Sequence, residues 1–244
     1  MSRLVLEAAC PSRERSREWG RADALVKDPD NRWLSRGPRV RLDAEVVRDQ
    51  SLAVAGLLSA KRGGPSVFPP QPANVTTEGT YGALAWSVST GEDRYRRSIY
   101  TFTKRTSPFA LTATFDAPSG EACVARREIT NTPLQALSML NDVTFMQAAR
   151  ELGKQTNPSN GDDRAKLSEL FRKVLIRPAS KDELDELIVY LARQRVRLNN
   201  GALLASKILA DPGSENSTPE QTVDQAAWTL VARVLLNLDE SVTK

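Results

Sequence analysis

Three hydroxyl-headed boxes constrain this chain more than any other feature. Thr132-Pro133-Leu134-Gln135, Ser180-Lys181-Asp182-Glu183 and Thr218-Pro219-Glu220-Gln221 each place a Ser or Thr where a helix needs its first acceptor and a Glu or Gln three residues on. Two of them add proline at the first helical position, where its missing N–H is no loss. Each stands before an apolar stripe of 3.6-residue period, which predicts a helical second half. The last stripe runs Val223, Ala226, Ala227, Leu230, Val231, Val234, Leu235, Leu238 and ends near Asp239. A helix over 163–176 would bury Leu167, Leu170, Phe171, Val174 and Leu175 and stop before Pro178; another over 181–197 would bury Leu184, Leu187, Ile188 and Leu191.

The first half reads differently. Prolines crowd GGPSVFPPQP (63–72), an extended loop by composition. Asp43 can cap a helix to about Leu58, with Val46, Val47, Val54, Leu57 and Leu58 inward and Gly63-Gly64 beyond its end. Ser98–Thr103 alternates β-branched, aromatic and hydroxyl residues and reads as a short strand or extended segment. The predicted fold is therefore mainly α: an irregular, loop-rich first half with one or two short strands, packed on a helical second half. Residues 1–27 form a divergent lead-in to one domain over 28–244. The polar stretches 156–163 and 211–220 are surface turns, and a sub-boundary falls at the first of them. No repeat of solenoid period is present.

The 244 residues include no histidine. That removes the commonest general base and the commonest metal and haem ligand, so a Ser-His-Asp triad, a His-bearing zinc site and CxxCH haem attachment are excluded. No Gly-x-Ser-x-Gly elbow or phosphate-cradling glycine loop occurs, and no catalytic or metal-binding residue is assigned. Cys10 and Cys123 lie outside any CxxC pair. Cys123 is expected to be a small buried hydrophobe, the alternative being a Cys10–Cys123 bridge. No signal peptide is read in residues 1–27, and no 18-residue apolar run spans a membrane.

Charge is uneven. Residues 1–130 hold 20 basic and 15 acidic residues against 14 and 15 in the remainder. The densest basic segment, EDRYRRSIYTFTKRTSP, interleaves Arg94, Arg96, Arg97, Lys104 and Arg105 with Tyr95, Tyr100 and Phe102. Arg94, Arg96, Arg97, Tyr100 and Arg105 are the candidate ligand-binding residues, suited to an acidic polysaccharide or another polyanion. The competing reading is structural, with the arginines as struts holding loop carbonyls. Nucleic acid is a poor fit: the whole chain carries only +4 and shows no recognition motif. Glu92, Asp93, Asp116, Glu121, Glu128 and Asp142 are the carboxylates available for acid–base work, though Asp142 is better placed to cap the helix carrying Phe145 and Ala149.

The strings NRWLSRGPRVRLDAEVVRDQSLAVAGLLS (31–59), YRRSIYTFTKRTSP (95–108), TFDAPSGEACVARREITNTPLQALSMLND (114–142) and AAWTLVARVLLNLDESVTK (226–244), with the proline-rich loop, resemble the planctomycete-type domain of unknown function 1553. The resemblance implies the C-terminal domain of a large exported envelope protein, in which a c-type cytochrome module and a second uncharacterised domain come first. It implies no cofactor here, haem c belonging to the upstream module, and as partners the other domains of such a protein or an envelope polymer. The expected role is a non-catalytic structural or interaction module, and the chain reads as a fragment lacking the haem module. The motif residues Arg126, Arg127, Glu128, Asn131, Thr132, Pro133, Gln135, Asn141 and Asp142 are expected to be structural. Val143 stands where the family often has proline, which should let the helix from Pro133 run through Asn141-Asp142; Thr103 stands where tryptophan is common.

Overall fold

The computed structural model describes residues 26–34, 40–72, 86–105, 107–156, 162–209 and 223–244. Two compact units divide the chain, one of residues 1–41 with 243–244 and the other of 42–242. In the first, Asp28 accepts from the Arg32 and Trp33 amides at 2.7 and 3.1 Å, closing a turn, and Val40 exchanges both backbone hydrogen bonds with Lys244.

The larger unit is mainly α-helical. Its helices are α1 (Ala44–Ala55), α2 (Ala110–Thr114), α3 (Pro133–Asn141), α4 (Val143–Thr156), α5 (Asp163–Leu175), α6 (Lys181–Asn199), α7 (Ala205–Leu209), α8 (Val223–Leu236) and α9 (Asp239–Val242). Two of the boxes form as expected: Thr132 accepts from the Gln135 amide while the Gln135 side chain returns to the Thr132 amide, and Ser180 and Glu183 do the same. The box at Thr218, the turns over 157–161 and 211–220 and the lead-in before residue 26 lie outside the described residues, as does Cys10.

Helix α8 is the axis of the main core. Ala226, Ala227, Trp228, Val231, Ala232 and Leu235 are buried against Ala148, Ala149 and Leu152 of α4 and the inward faces of α5 and α6. All five residues assigned inward on α5 are buried. A smaller core joins Ala44 and Val47 of α1 to Phe109, Leu111, Phe115, Met139, Phe145 and Val242. Phe102, Phe68, Trp86 and Phe109 follow one another there, Phe102 stacked on Phe68 and Trp86 on Phe109, with Phe68 edge-to-face against Trp86, whose indole donates to the Pro69 carbonyl at 2.8 Å.

Four local expectations are corrected. Helix α1 ends at Ala55 rather than Leu58, because Gly56 takes the left-handed conformation at φ 76° that closes a helix most cheaply. Its buried face is Ala44, Val47, Arg48, Ser51, Leu52 and Ala55, so Val46 is exposed and an arginine points inward. Ser98–Thr103 is no strand: Ser98–Tyr100 forms a 3-10 turn, and only the single parallel bridge Thr101–Val67 follows, because that segment meets a loop and not a second strand. The helix from Pro133 does not run through Asn141-Asp142. Asp142 adopts extended backbone with ψ 141° and its carboxylate accepts from the Thr144 amide at 2.8 Å, starting α4 afresh. Cys123 is exposed, on a loop whose residues 118–126 all face solvent.

Candidate functional site

The basic segment is positioned by a residue that the sequence reading passed over. Arg48 completes the inward face of α1, and its guanidinium donates to the Arg96 carbonyl at 2.8 Å, the Arg94 carbonyl at 3.0 Å and the Ser98 hydroxyl at 3.2 Å. Asp49 next to it accepts from the amide and hydroxyl of Ser98, both at 2.7 Å. One turn of α1 therefore holds residues 94–98 by their backbone. Burial pulls the Arg48 guanidinium below its ordinary range, opposed by the charges of Asp49 and Asp142; burial likewise pushes the Asp142 carboxyl up, opposed by its hydrogen bond from Thr144 and by Arg48. The available signal was periodicity: Ala44, Val47, Leu52 and Ala55 define a face on which residue 48 must also lie.

The five candidate ligand residues divide. Arg96 is buried, donating to the carbonyls of Pro65, at 3.0 Å, and Gly63, with its guanidinium 3.9 Å above the Tyr100 ring. Tyr100 accepts from the Gly63 amide at 3.0 Å. These two residues tie the proline-rich loop to the basic segment. Arg94 is half-buried, its own carbonyl held by Arg48. Arg97 is exposed, with Nε 3.6 Å from Asp49, and Arg105 is exposed beside Gly120. Arg97 and Arg105 are thus the members of the set whose charges reach solvent.

The carboxylates are engaged separately. Glu92 accepts from the Ser59 hydroxyl at 2.6 Å and Asp93 pairs with Lys61 at 2.8 Å. Asp116, left-handed at φ 62°, accepts from the Thr130 amide and hydroxyl at 2.8 and 2.9 Å and from Gln135 at 3.3 Å. Glu121 and Glu128 face solvent. Among the described residues no group of three His, Cys, Asp or Glu is placed to hold a metal ion, and no helix is long and apolar enough to cross a membrane.

The motif over 126–142 buries one polar side chain and leaves three large aliphatic ones exposed. Gln135, buried, donates to Thr114, Asp116 and Thr130 and receives the Thr132 amide, a closed polar knot beneath the loop. Arg127 clasps Glu45 of α1 through two bonds of 2.7 and 3.1 Å, which holds the Glu45 carboxyl below its usual range. Asn141 accepts from Arg233 at 3.2 Å, while Arg126 and Asn131 are exposed. Met139 is buried and Leu140 half-buried, whereas three aliphatic members point out: Ile129 is 60%, Leu134 59% and Leu137 56% exposed. Leu134 and Leu137, three apart on α3, share one face.

Arginines act as struts elsewhere too. Arg195 of α6 reaches Asp163 of α5 and Asp224 of α8, and Arg177 joins Glu183 to Glu240. The fold and its bracing define a mainly α-helical domain tied across its elements by guanidinium groups. The chain belongs to the family described as Protein of unknown function (DUF1553), PSD1, whose model matches residues 12–191. No curated protein and no solved structure matches it.

Proposed function

We propose that this chain is a non-catalytic interaction module of a multidomain cell-envelope protein, docking another domain of that protein through the motif surface of α3 and the loop before it. The observation that carries the reading is the exposure of three large aliphatic side chains on a segment braced by a buried glutamine. Polar motif side chains brace the loop from beneath, and Ile129, Leu134 and Leu137 are held in water. Exposed aliphatic residues on a rigid support characterise protein-docking surfaces, whereas a sugar polymer would call for aromatic platforms and open charges. A c-type haem attached at CxxCH would belong to a partner domain, since this chain has no histidine for that motif.

The test measures binding of the purified chain to the separately expressed upstream domains of a full-length family member. Leu134→Arg with Leu137→Arg should abolish binding without lowering the melting temperature, and Arg97→Ala should leave binding intact. Binding indifferent to the double substitution overturns the docking surface. A melt that rises with sulfated polysaccharide and loses the rise with salt would instead favour polyanion binding through Arg97 and Arg105. Release of reducing ends from a glycan panel would overturn the non-catalytic reading.

A further inference from the structure

Helix α6 carries on its outer face a stripe that its own fold leaves unmatched. Asp182, Glu186, Val189, Arg193, Val196 and Arg197 are all exposed, spaced three, four or one apart along one side. Charge along it is segregated. Asp182 and Glu186 are like charges at i, i+4, and so are Arg193 and Arg197, an arrangement that weakens an isolated helix where alternating signs would strengthen it. The helix dipole accounts for acid in the first turn and base in the last, but its effect fades beyond those turns and does not reach Glu186 or Arg193. Val189, between the two charged blocks, is 48% exposed, and Val196, inside the basic one, 57%. The stripe borders a groove of 760 Å³ floored by Phe171, Leu187, Tyr190, Val234 and Leu238, into which Glu186, Val189 and Arg193 also face.

We infer that a second copy of this chain occupies this face, pairing α6 antiparallel with α6 across a twofold axis. The pattern is self-complementary only in that orientation. Setting Glu186 against Arg193 of the second copy puts the axis between Val189 and Tyr190. Asp182 then falls opposite Arg197, Val189 opposite Tyr190, and Glu183 opposite Val196. All four charged blocks are matched in one register, and the aliphatic centre covers part of each groove. Such isologous pairing, with one patch used twice, is the ordinary geometry of a homodimer. A contact confined to one helix and its groove lies at the small end of interfaces, below about 1,200 Å², so association is weak and falls with salt. The face shares no residue with the motif surface of α3, and the inference does not depend on the function proposed above.

Sedimentation velocity from about 1 μM to about 1 mM, at low and moderate salt, tests it. Wild type should shift from monomer to dimer across that range. Glu186→Arg sets arginine against arginine twice, and Arg193→Glu sets glutamate against glutamate twice; each should weaken self-association at least about tenfold. Mixing the two variants restores both pairs, as does the double exchange Glu186→Arg with Arg193→Glu, and each should recover the dimer. Because these side chains are exposed, circular dichroism melts of all variants should coincide. A monomer at every concentration overturns the inference, as does a dimer indifferent to either reversal or failure of the mixed variants to recover association.

Discussion

Gly153 begins the last turn of α4, and a glycine within a helix ordinarily weakens it by up to about 1 kcal/mol relative to alanine. By that rule alone Gly153→Ala would stabilise the protein. The structure reverses the sign. A Cβ built at Gly153 would lie 2.5 Å from the Thr229 hydroxyl, 2.7 Å from its amide nitrogen and 2.9 Å from its Cα, all on α8. Each distance is below the 3.0 Å that real Cβ atoms respect, and two of the three atoms are backbone that no rotamer change can move. Either α4 or α8 must shift, and both are packed with fully buried residues, among them Leu152, Trp228 and Val231. Overpacking of this kind costs about 1–3 kcal/mol and more where backbone must move. Set against the propensity gain, the expected net loss is about 1–2 kcal/mol, or a fall in Tm of about 2–8 °C for a chain of this size. Urea unfolding followed by far-UV circular dichroism measures it. Thr229→Ala removes the hydroxyl but leaves the two backbone contacts, so Gly153→Ala should remain destabilising in that background. An alanine variant as stable as wild type would refute the reasoning, and complete rescue by Thr229→Ala would show that only the hydroxyl mattered.

Two further outcomes follow from the arginine struts. Arg48→Ala leaves the carbonyls of Arg94 and Arg96 without that donor and Asp49 with Arg97 as its one remaining guanidinium neighbour, and should cost about 3–5 kcal/mol in urea unfolding. Arg97→Ala, at the solvent-facing side of the same Asp49, should change stability by less than about 1 kcal/mol, and equal effects from the two would contradict the assignment of Arg48 as the interior strut. Glu183 is held at about 2 rather than the ordinary 4.5, chiefly by its hydrogen bonds from Arg177 and aided by the Ser180 amide. A carboxyl depressed in the folded state contributes stability above its unfolded pKa and loses it as pH falls towards the folded one. Tm should therefore decline from about pH 4.5 towards pH 2, with Asp163, held down by Arg195, adding to the slope. Glu183→Gln keeps an acceptor for the cap but should flatten that decline, and an unchanged acid profile would refute the assignment.

How much of the molecule could be read in advance depends on how far each interaction reaches along the chain. The caps at Thr132 and Ser180, the five-residue inward face of α5 and the end of that helix short of Pro178 involve partners within a few residues, and all were legible. Of the two readings of 98–103, a short strand or an extended segment, the strand failed because a strand needs a neighbour, and the neighbour here is the single bridge at Val67. The burial expected of Cys123 failed because hydrophobicity describes a residue and not its place, which is a solvent-facing loop. Within the basic segment, residue type could not distinguish Arg96 from Arg97. One backbone step sends Arg96 under the proline-rich loop and Arg97 into water.

The sequence by itself determined the class of fold, because capping and 3.6-residue periodicity are written in neighbouring residues and need no tertiary partner. It also excluded histidine chemistry outright. Tertiary structure alone decided which charges became struts and which stayed free. The acceptors of Arg48 lie more than forty residues away, the partner of Gly153 is on another helix, and Gln135 of the motif is satisfied in its buried place only once Asp116 and Thr130 have closed on it. Those are contacts between segments distant in sequence, and the energy of a guanidinium or a leucine depends on what surrounds it after the chain has packed.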